Sequence, residues 1–246
     1  DDELAAASMC YTSGTTGNPK GVTYTHRSTF LHTMAAMLAD TIGVTEADVI
    51  LPVVPMFHAN AWGLAHAAVA SGAKLVQPGP DLSPGTLARL IEEEKVTLAA
   101  GVPTIWMGVV EELEGRDTSA LRVVPCGGSA VPTSLSKRFE EVTGLPILQA
   151  WGMTETSPVG SVAKVISSLE DSSEEKLDEL RASQGLPVLG VELRVVTPDG
   201  EQVPWDGETQ GELQAAGPWI TNGYYNDERS AEAMTEDGWC RTGDVA

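Results

Sequence analysis

From residue 4 to about residue 150, short β-rich runs alternate with helical patterns. This alternation restricts the fold more than any other feature of the chain. A strand, a helix and a further strand make a parallel pair, and a parallel sheet needs helices on both faces. Expected strands are Ala7–Tyr11, Val49–Val54, Lys74–Gln77, Thr97–Ala100, Arg122–Cys126 and Ile147–Gln149. Ser83-Pro84 opens a helix with Leu87, Leu90 and Ile91 on one face. Pro103 opens another through Trp106, Val109, Val110 and Leu113, and Pro132 a third through Leu135, Phe139 and Val142 that stops at Gly144. Proline just inside a helix start and glycine just past its end is the expected asymmetry.

The pattern then changes. Ser172–Ser183 reads as a charged, thinly amphipathic helix with a capping box between Ser172 and Glu175. Beyond it Val191, Leu193 and Val195 alternate with Glu192, Arg194 and Val196. Thr197-Pro198-Asp199-Gly200 forms a turn, and Gly211–Ala215 is a further strand. The expected class is α/β: a mostly parallel sheet flanked by helices over residues 1–185, followed by a small antiparallel or barrel-like β subdomain over 186–246.

Composition narrows the function. The 246 residues carry a net charge of −20, so binding to nucleic acid through the general surface field is disfavoured. Hydrophobic residues at 42% permit a core, and no uninterrupted apolar stretch is long enough to cross a bilayer. Cys10, Cys126 and Cys240 lie far apart without metal-ligand spacing, which suggests a reduced, cytoplasmic chain and small buried thiols. The chain opens on Asp1-Asp2-Glu3 with no initiator methionine and no basic leader, so it reads as the middle of a longer protein. The sequence leaves room for peripheral membrane contact and for a homodimer.

Three stretches contain no carboxylate: Glu3 to Asp40, Asp48 to Asp81 and Asp117 to Glu140. The first holds Lys20, His26, Arg27 and His32, the second His58 and His66, and the third Arg122, Lys137 and Arg138. A polyanion site in an acidic protein should be cleared of negative charge. Burial accounts for the second gap, but the first is rich in polar residues. It contains Tyr11-Thr12-Ser13-Gly14-Thr15-Thr16-Gly17-Asn18-Pro19-Lys20-Gly21, directly after an expected strand. Glycine backbone, hydroxyls and one lysine suit an anion. Pro19 and Gly21 flank the lysine, so the loop is not of the Walker type.

This loop resembles the signature of the adenylate-forming superfamily, which comprises acyl- and aryl-CoA synthetases, adenylation domains and luciferases. Gln149-Ala150-Trp151-Gly152-Met153-Thr154-Glu155-Thr156 is similar to a second signature of that superfamily, although it usually has Tyr where this chain has Trp151. Gly238-Trp239-Cys240-Arg241-Thr242-Gly243-Asp244 is similar to a third. The resemblance implies ATP, Mg²⁺ and CoA as reactants or cofactors. It implies that Thr12, Ser13, Gly14, Thr15, Thr16, Gly17 and Lys20 hold the β- and γ-phosphates. Thr12 and Glu155 would hold Mg²⁺, Thr154 would donate to the α-phosphate, and Asp244 would accept from the ribose. Gln149, Ala150, Trp151 and Gly152 would bound the adenine, with Gly128 and Ser129 against the acyl-adenylate.

Pro52 to Gly63 contains Phe57-His58-Ala59-Asn60-Ala61-Trp62 and resembles the Phe-His segment of acyl- and aryl-CoA synthetases. By that resemblance His58 sits beside the reacting carboxylate, and His58, Ala59, Trp62 and Gly128 contact the acyl group. Trp62 either lines or gates the tunnel, or is plain core. No Asp lies between Val49 and Pro80 to hold a substrate ammonium, and Gly101 to Trp106 is similar to the fatty-acyl branch. The implied activity is adenylation of a medium- or long-chain fatty acid and its transfer to CoA. An aryl-CoA ligase or luciferase-like member is the alternative within the superfamily, and a non-catalytic nucleotide-binding module the alternative of another class. Relatives carry a sheet subdomain before these motifs and a mobile lysine-bearing domain after them. The 246-residue stretch alone is therefore expected to show little or no adenylation, which ATP–pyrophosphate exchange would check.

Overall fold

The computed structural model describes residues 2–12 and 17–246. Its elements in chain order are β1 (Ala6–Tyr11), β2 (Gly21–Thr25), α1 (His26–Met37), β3 (Val49–Pro52), α2 (Ala59–Trp62), α3 (Leu64–Ser71), β4 (Lys74–Leu75), α4 (Pro84–Glu93), β5 (Leu98–Ala100) and α5 (Pro103–Leu113). They continue through β6 (Pro125–Cys126), α6 (Thr133–Thr143), β7 (Leu148–Gly152), β8 (Val159–Val162), α7 (Glu174–Ala182), β9 (Leu186–Pro187), β10 (Glu192–Val196), β11 (Glu212–Ala216), α8 (Ser230–Ala233) and β12 (Cys240–Val245).

Strands β4, β3 and β5 are parallel, and parallel bridges Leu98–Val123 and Gly101–Cys126 carry the ladder on to β6 and β7. Antiparallel β8 and β9 finish that edge. Successive strand residues serve opposite faces. Leu51 and Ala99 join a core with Leu87 and Ile91 of α4, Trp106 and Leu113 of α5, and Phe139 of α6. Ile50, Leu98 and Ala100 join Ala36 of α1 with Leu64 and Ala67 of α3. A parallel sheet buried on both faces has apolar residues at consecutive positions for this reason. Trp106 and Phe139 meet edge to face with ring centroids 6.0 Å apart. Gly144, at φ 77°, stops α6 as expected.

Two features depart from the sequence expectations. First, β1 is not a member of the parallel sheet: it pairs antiparallel with β2, so the Thr12–Lys20 loop joins two strands of a hairpin. Second, α7 begins one residue later than expected. Ser173, not Ser172, accepts the Lys176 N–H at 3.3 Å, and with Lys176 at the third helical position no carboxylate reaches back to complete a capping box. The last β-rich part is an open antiparallel sheet in the order β10-β11-β12, the antiparallel arm of the expectation. Among the described residues no helix is long and apolar enough to cross a membrane.

The carboxylate of Asp48 anchors the start of β3. It accepts from Arg122 Nε at 2.7 Å and Nη2 at 2.6 Å, from Thr97 Oγ1 at 2.6 Å and from the Thr45 N–H at 2.8 Å. Burial pushes this carboxyl up. The Arg122, Thr97 and Thr45 hydrogen bonds outweigh that and hold it well below the usual carboxylate range. Its contribution is therefore full at neutral pH and is lost as pH falls through the depressed value. Arg122 keeps 38% of its side chain exposed, so it can be hydrated when its partner is removed. Asp48→Asn should cost about 2 kcal/mol. Thermal unfolding at pH 7 should show that gap, and the gap should shrink in strong acid.

Candidate functional site

The hairpin loop is pinned at its base. Thr12 N–H donates to the Lys20 carbonyl at 2.9 Å, and Lys20 N–H donates to Thr12 Oγ1 at 3.2 Å. Ser13, Gly14, Thr15 and Thr16, expected to contact phosphates, lie outside the described residues. Gly17 has φ 92°, and Arg229 Nη1 reaches the neighbouring Asn18 carbonyl at 3.0 Å. Arg229 was not anticipated from the sequence.

Lys20 turns inward. Its Nζ donates to Tyr224 Oη at 2.9 Å, and Tyr224 Oη donates to Glu155 Oε1 at 2.6 Å. Glu155 is only 3% exposed. It sits in the turn Thr154–Thr156 that leaves β7, where Met153 N–H donates to Thr156 Oγ1 at 2.9 Å. Tyr24 Oη of β2 donates to the Thr154 carbonyl at 2.8 Å, and Thr221 N–H donates to the Glu155 carbonyl at 2.8 Å. Burial, and then the bond to Glu155, push the Tyr224 phenol well above its ordinary range, so it remains a hydroxyl. A neutral hydroxyl thus separates an ammonium from a carboxylate. Among the described residues no three His, Cys, Asp or Glu side chains form a metal cage. One buried carboxylate suits Mg²⁺, which keeps waters and takes its other ligands from phosphates.

Beyond this turn lies a cleft of about 550 Å³, lined by Gly128, Ser129, Ala150, Trp151, Gly152, Met153, Thr242 and Asp244. Gly128, with φ 82°, lets the chain turn under the cleft without a side chain. Asp244 reaches the cleft through a bulge. Gln214 of β11 pairs with Arg241 but Glu212 pairs with Val245, so β12 holds two extra residues around Gly243, at φ 75°. An apolar pocket of about 60 Å³ adjoins the cleft, lined by His58, Trp62, Gly127 and Val159. The two share Gly128 and Ala150 to Met153 as a common wall.

Two anticipated residues are buried. Gln149 lines the cleft but is 1% exposed, and its side chain accepts from Val131 N–H at 2.7 Å and donates to Gln184 at 3.0 Å. It braces the Gly127–Ala130 loop from beneath. Ala59 is buried and does not line the apolar pocket. It starts a left-handed turn, α2, in which Ala59, Asn60, Ala61 and Trp62 all have φ between 45° and 57°. Each such residue costs roughly 1–2 kcal/mol, and Ser8 Oγ holds the turn by donating to Asn60 Oδ1 at 2.9 Å.

The carboxylate-free stretches do not pool their cations. Arg122 pairs with Asp48, Lys137 with Asp178, Arg138 with Glu111 and Glu114, and Arg27 with Glu3. His32 is buried and accepts from Val159 N–H at 3.3 Å. Burial, with His66 nearby, pushes it down to about 3, so it is neutral. The thiols of Cys126 and Cys240 are pushed up to about 12 by burial, which suits packing and not nucleophilic attack.

A family model described as "AMP-binding enzyme" matches residues 2–225. The chain belongs to this family. Over 99% of its length it is 51% identical to the long-chain-fatty-acid–CoA ligase of Thermus thermophilus. Over its whole length it is 46% identical to the medium-chain-fatty-acid–CoA ligase of Ectopseudomonas oleovorans. It covers 46% and 45% of these two proteins, so it spans about half the length of the curated relatives it matches. The O-succinylbenzoate coenzyme A synthetase of Bacillus subtilis, solved in complex with ATP and magnesium ion, superposes with a TM-score of 0.83 at 28% identity. That match covers 99% of this chain and 48% of the other.

The Lys20–Tyr224–Glu155 bridge makes a testable statement about this family member. Tyr224→Phe leaves a buried carboxylate oxygen without its donor and should destabilise the fold by about 2 kcal/mol. A double-mutant cycle with Glu155→Gln, read by denaturant unfolding, should return most of that loss as coupling.

Proposed function

We propose that this chain supplies the nucleotide- and acyl-binding part of an ATP-dependent acyl-CoA synthetase acting on medium- or long-chain fatty acids. The observation that carries the reading is the common wall. The larger cleft can take a nucleoside, the apolar pocket beside His58 can take the carboxylate end of an alkyl acid, and Gly128 with Ala150 to Met153 lines both. The two curated relatives named above are fatty-acid–CoA ligases, which supports the acyl class.

In the proposed reaction a carboxylate oxygen bonds to the α-phosphorus of ATP. The bond to the bridging oxygen breaks, and pyrophosphate leaves with that electron pair. A CoA thiol then attacks the acyl carbon, loses its proton, and AMP departs. Catalysis of the first step is mainly positioning and charge neutralisation. Lys20 and the hydroxyls of the hairpin loop hold the β- and γ-phosphates, Thr154 donates to the α-phosphate, and Asp244 accepts from the ribose. Trp151 offers a face to adenine, with Ala150 and Gly152 beside it. Mg²⁺, held by Glu155 and the Thr12 hydroxyl, would offset phosphate charge. His58 sits at the acyl pocket and orients the substrate carboxylate. The tip of the Trp62 indole rests against Gly127, and the pocket of about 60 Å³ is too small for an alkyl tail, so Trp62 swings aside to admit one.

The complete protein, given ATP, CoA and straight-chain acids of increasing length, should form thioesters best with medium or long chains. Glu155→Gln should lower ATP–pyrophosphate exchange by about a hundredfold or more. Thioester formation confined to aromatic acids would overturn the acyl class. No turnover with any acid would overturn the enzyme.

A further inference from the structure

Trp151 does more than offer a ring. Its Nε1–H donates to Asp244 Oδ2 at 2.8 Å, across 93 residues of chain. Both partners are held from behind. The benzo edge of the indole lies on Gly160 of β8, where an added Cβ would come within 2.3 Å of Cζ3. Asp244 sits on the Gly243 bulge, and its backbone N–H donates to Thr242 Oγ1 at 3.0 Å. Thr242 Oγ1 donates in turn to the Leu213 carbonyl at 2.6 Å. The carboxylate is otherwise exposed at the edge of the cleft. An exposed Asp side chain ordinarily samples several rotamers, and this one is fixed by a charge-assisted bond.

We propose that Trp151 is a specificity-determining residue for the sugar: its indole N–H fixes the Asp244 carboxylate so that the pair reads a ribose diol. The inference rests on the nucleotide reading of the cleft and refines it. A carboxylate offers about four acceptor positions. The indole takes one of them on Oδ2, so two sugar hydroxyls can be accepted while the bond to Trp151 persists. A phenol at position 151 carries its donor on the ring tip and not on the flank, so a Tyr there does not supply the same bond.

The test is binding of ATP, 2′-deoxyATP and 3′-deoxyATP to the complete protein by calorimetry. Trp151→Phe keeps an aromatic face and deletes the donor. It should lower the preference for ATP over each deoxy analogue by about tenfold, chiefly by weakening ATP. Gly160→Ala keeps the donor but displaces the ring, and should lower the same ratio. Two variants with the wild-type ratio would overturn the proposal, as would tighter ATP binding by Trp151→Phe, which would make the indole a competitor of the sugar. A wild-type protein that binds none of the three would overturn the nucleotide reading itself, whereas the other two failures leave that reading standing.

Discussion

A carboxylate taken out of water must be met by donors, and Glu155 draws three distant parts of the chain around it. The β1–β2 hairpin brings Lys20 and Tyr24, the turn after β7 brings Glu155 itself, and the segment before α8 brings Thr221 and Tyr224. No two of these parts are neighbours in sequence. The Tyr224 hydroxyl keeps the lysine and the glutamate apart, so neither charge is consumed by the other. Both remain available to a polyanion and its counter-ion.

The same turn sets where the two cavities meet. It leaves β7 at the carboxyl end of the parallel strands, where open α/β sheets bind their ligands. The segment from Ala150 to Met153 lines both cavities; Gly152 and Gly128 carry no side chains, and the benzo edge of Trp151 packs on Gly160. On the acyl side the left-handed turn Ala59–Trp62 gives up stability to aim Trp62 at Gly127. Strain of that sort persists where the surroundings over-determine it, here through Ser8 and through the packing of His32 under Gly63.

Charge tells a similar story. Of the three carboxylate-free stretches, the sequence marks only the first, rich in polar residues, as a site for a polyanion. In the fold Arg27, Arg122, Lys137 and Arg138 face acids from other parts of the chain, and His32 is neutral in the core. Lys20 stands apart from these, because its partner is a hydroxyl.

The sequence by itself determined the alternating α/β framework, the helices that begin at Pro84, at Pro103 and after Pro132, and two of the motifs that line the cleft. These follow from local rules: side-chain period, proline and glycine punctuation, and residue chemistry within a few positions. It did not determine that β1 turns back on β2, since a hairpin and a crossover both begin with the same strand. Nor did it disclose Tyr224, the bulge at Gly243 or the interior duty of Gln149. Those depend on which groups meet across 69 or 93 residues. Only tertiary structure decides that, because hydrogen bonds and burial act through space and a chain's order does not specify its distances.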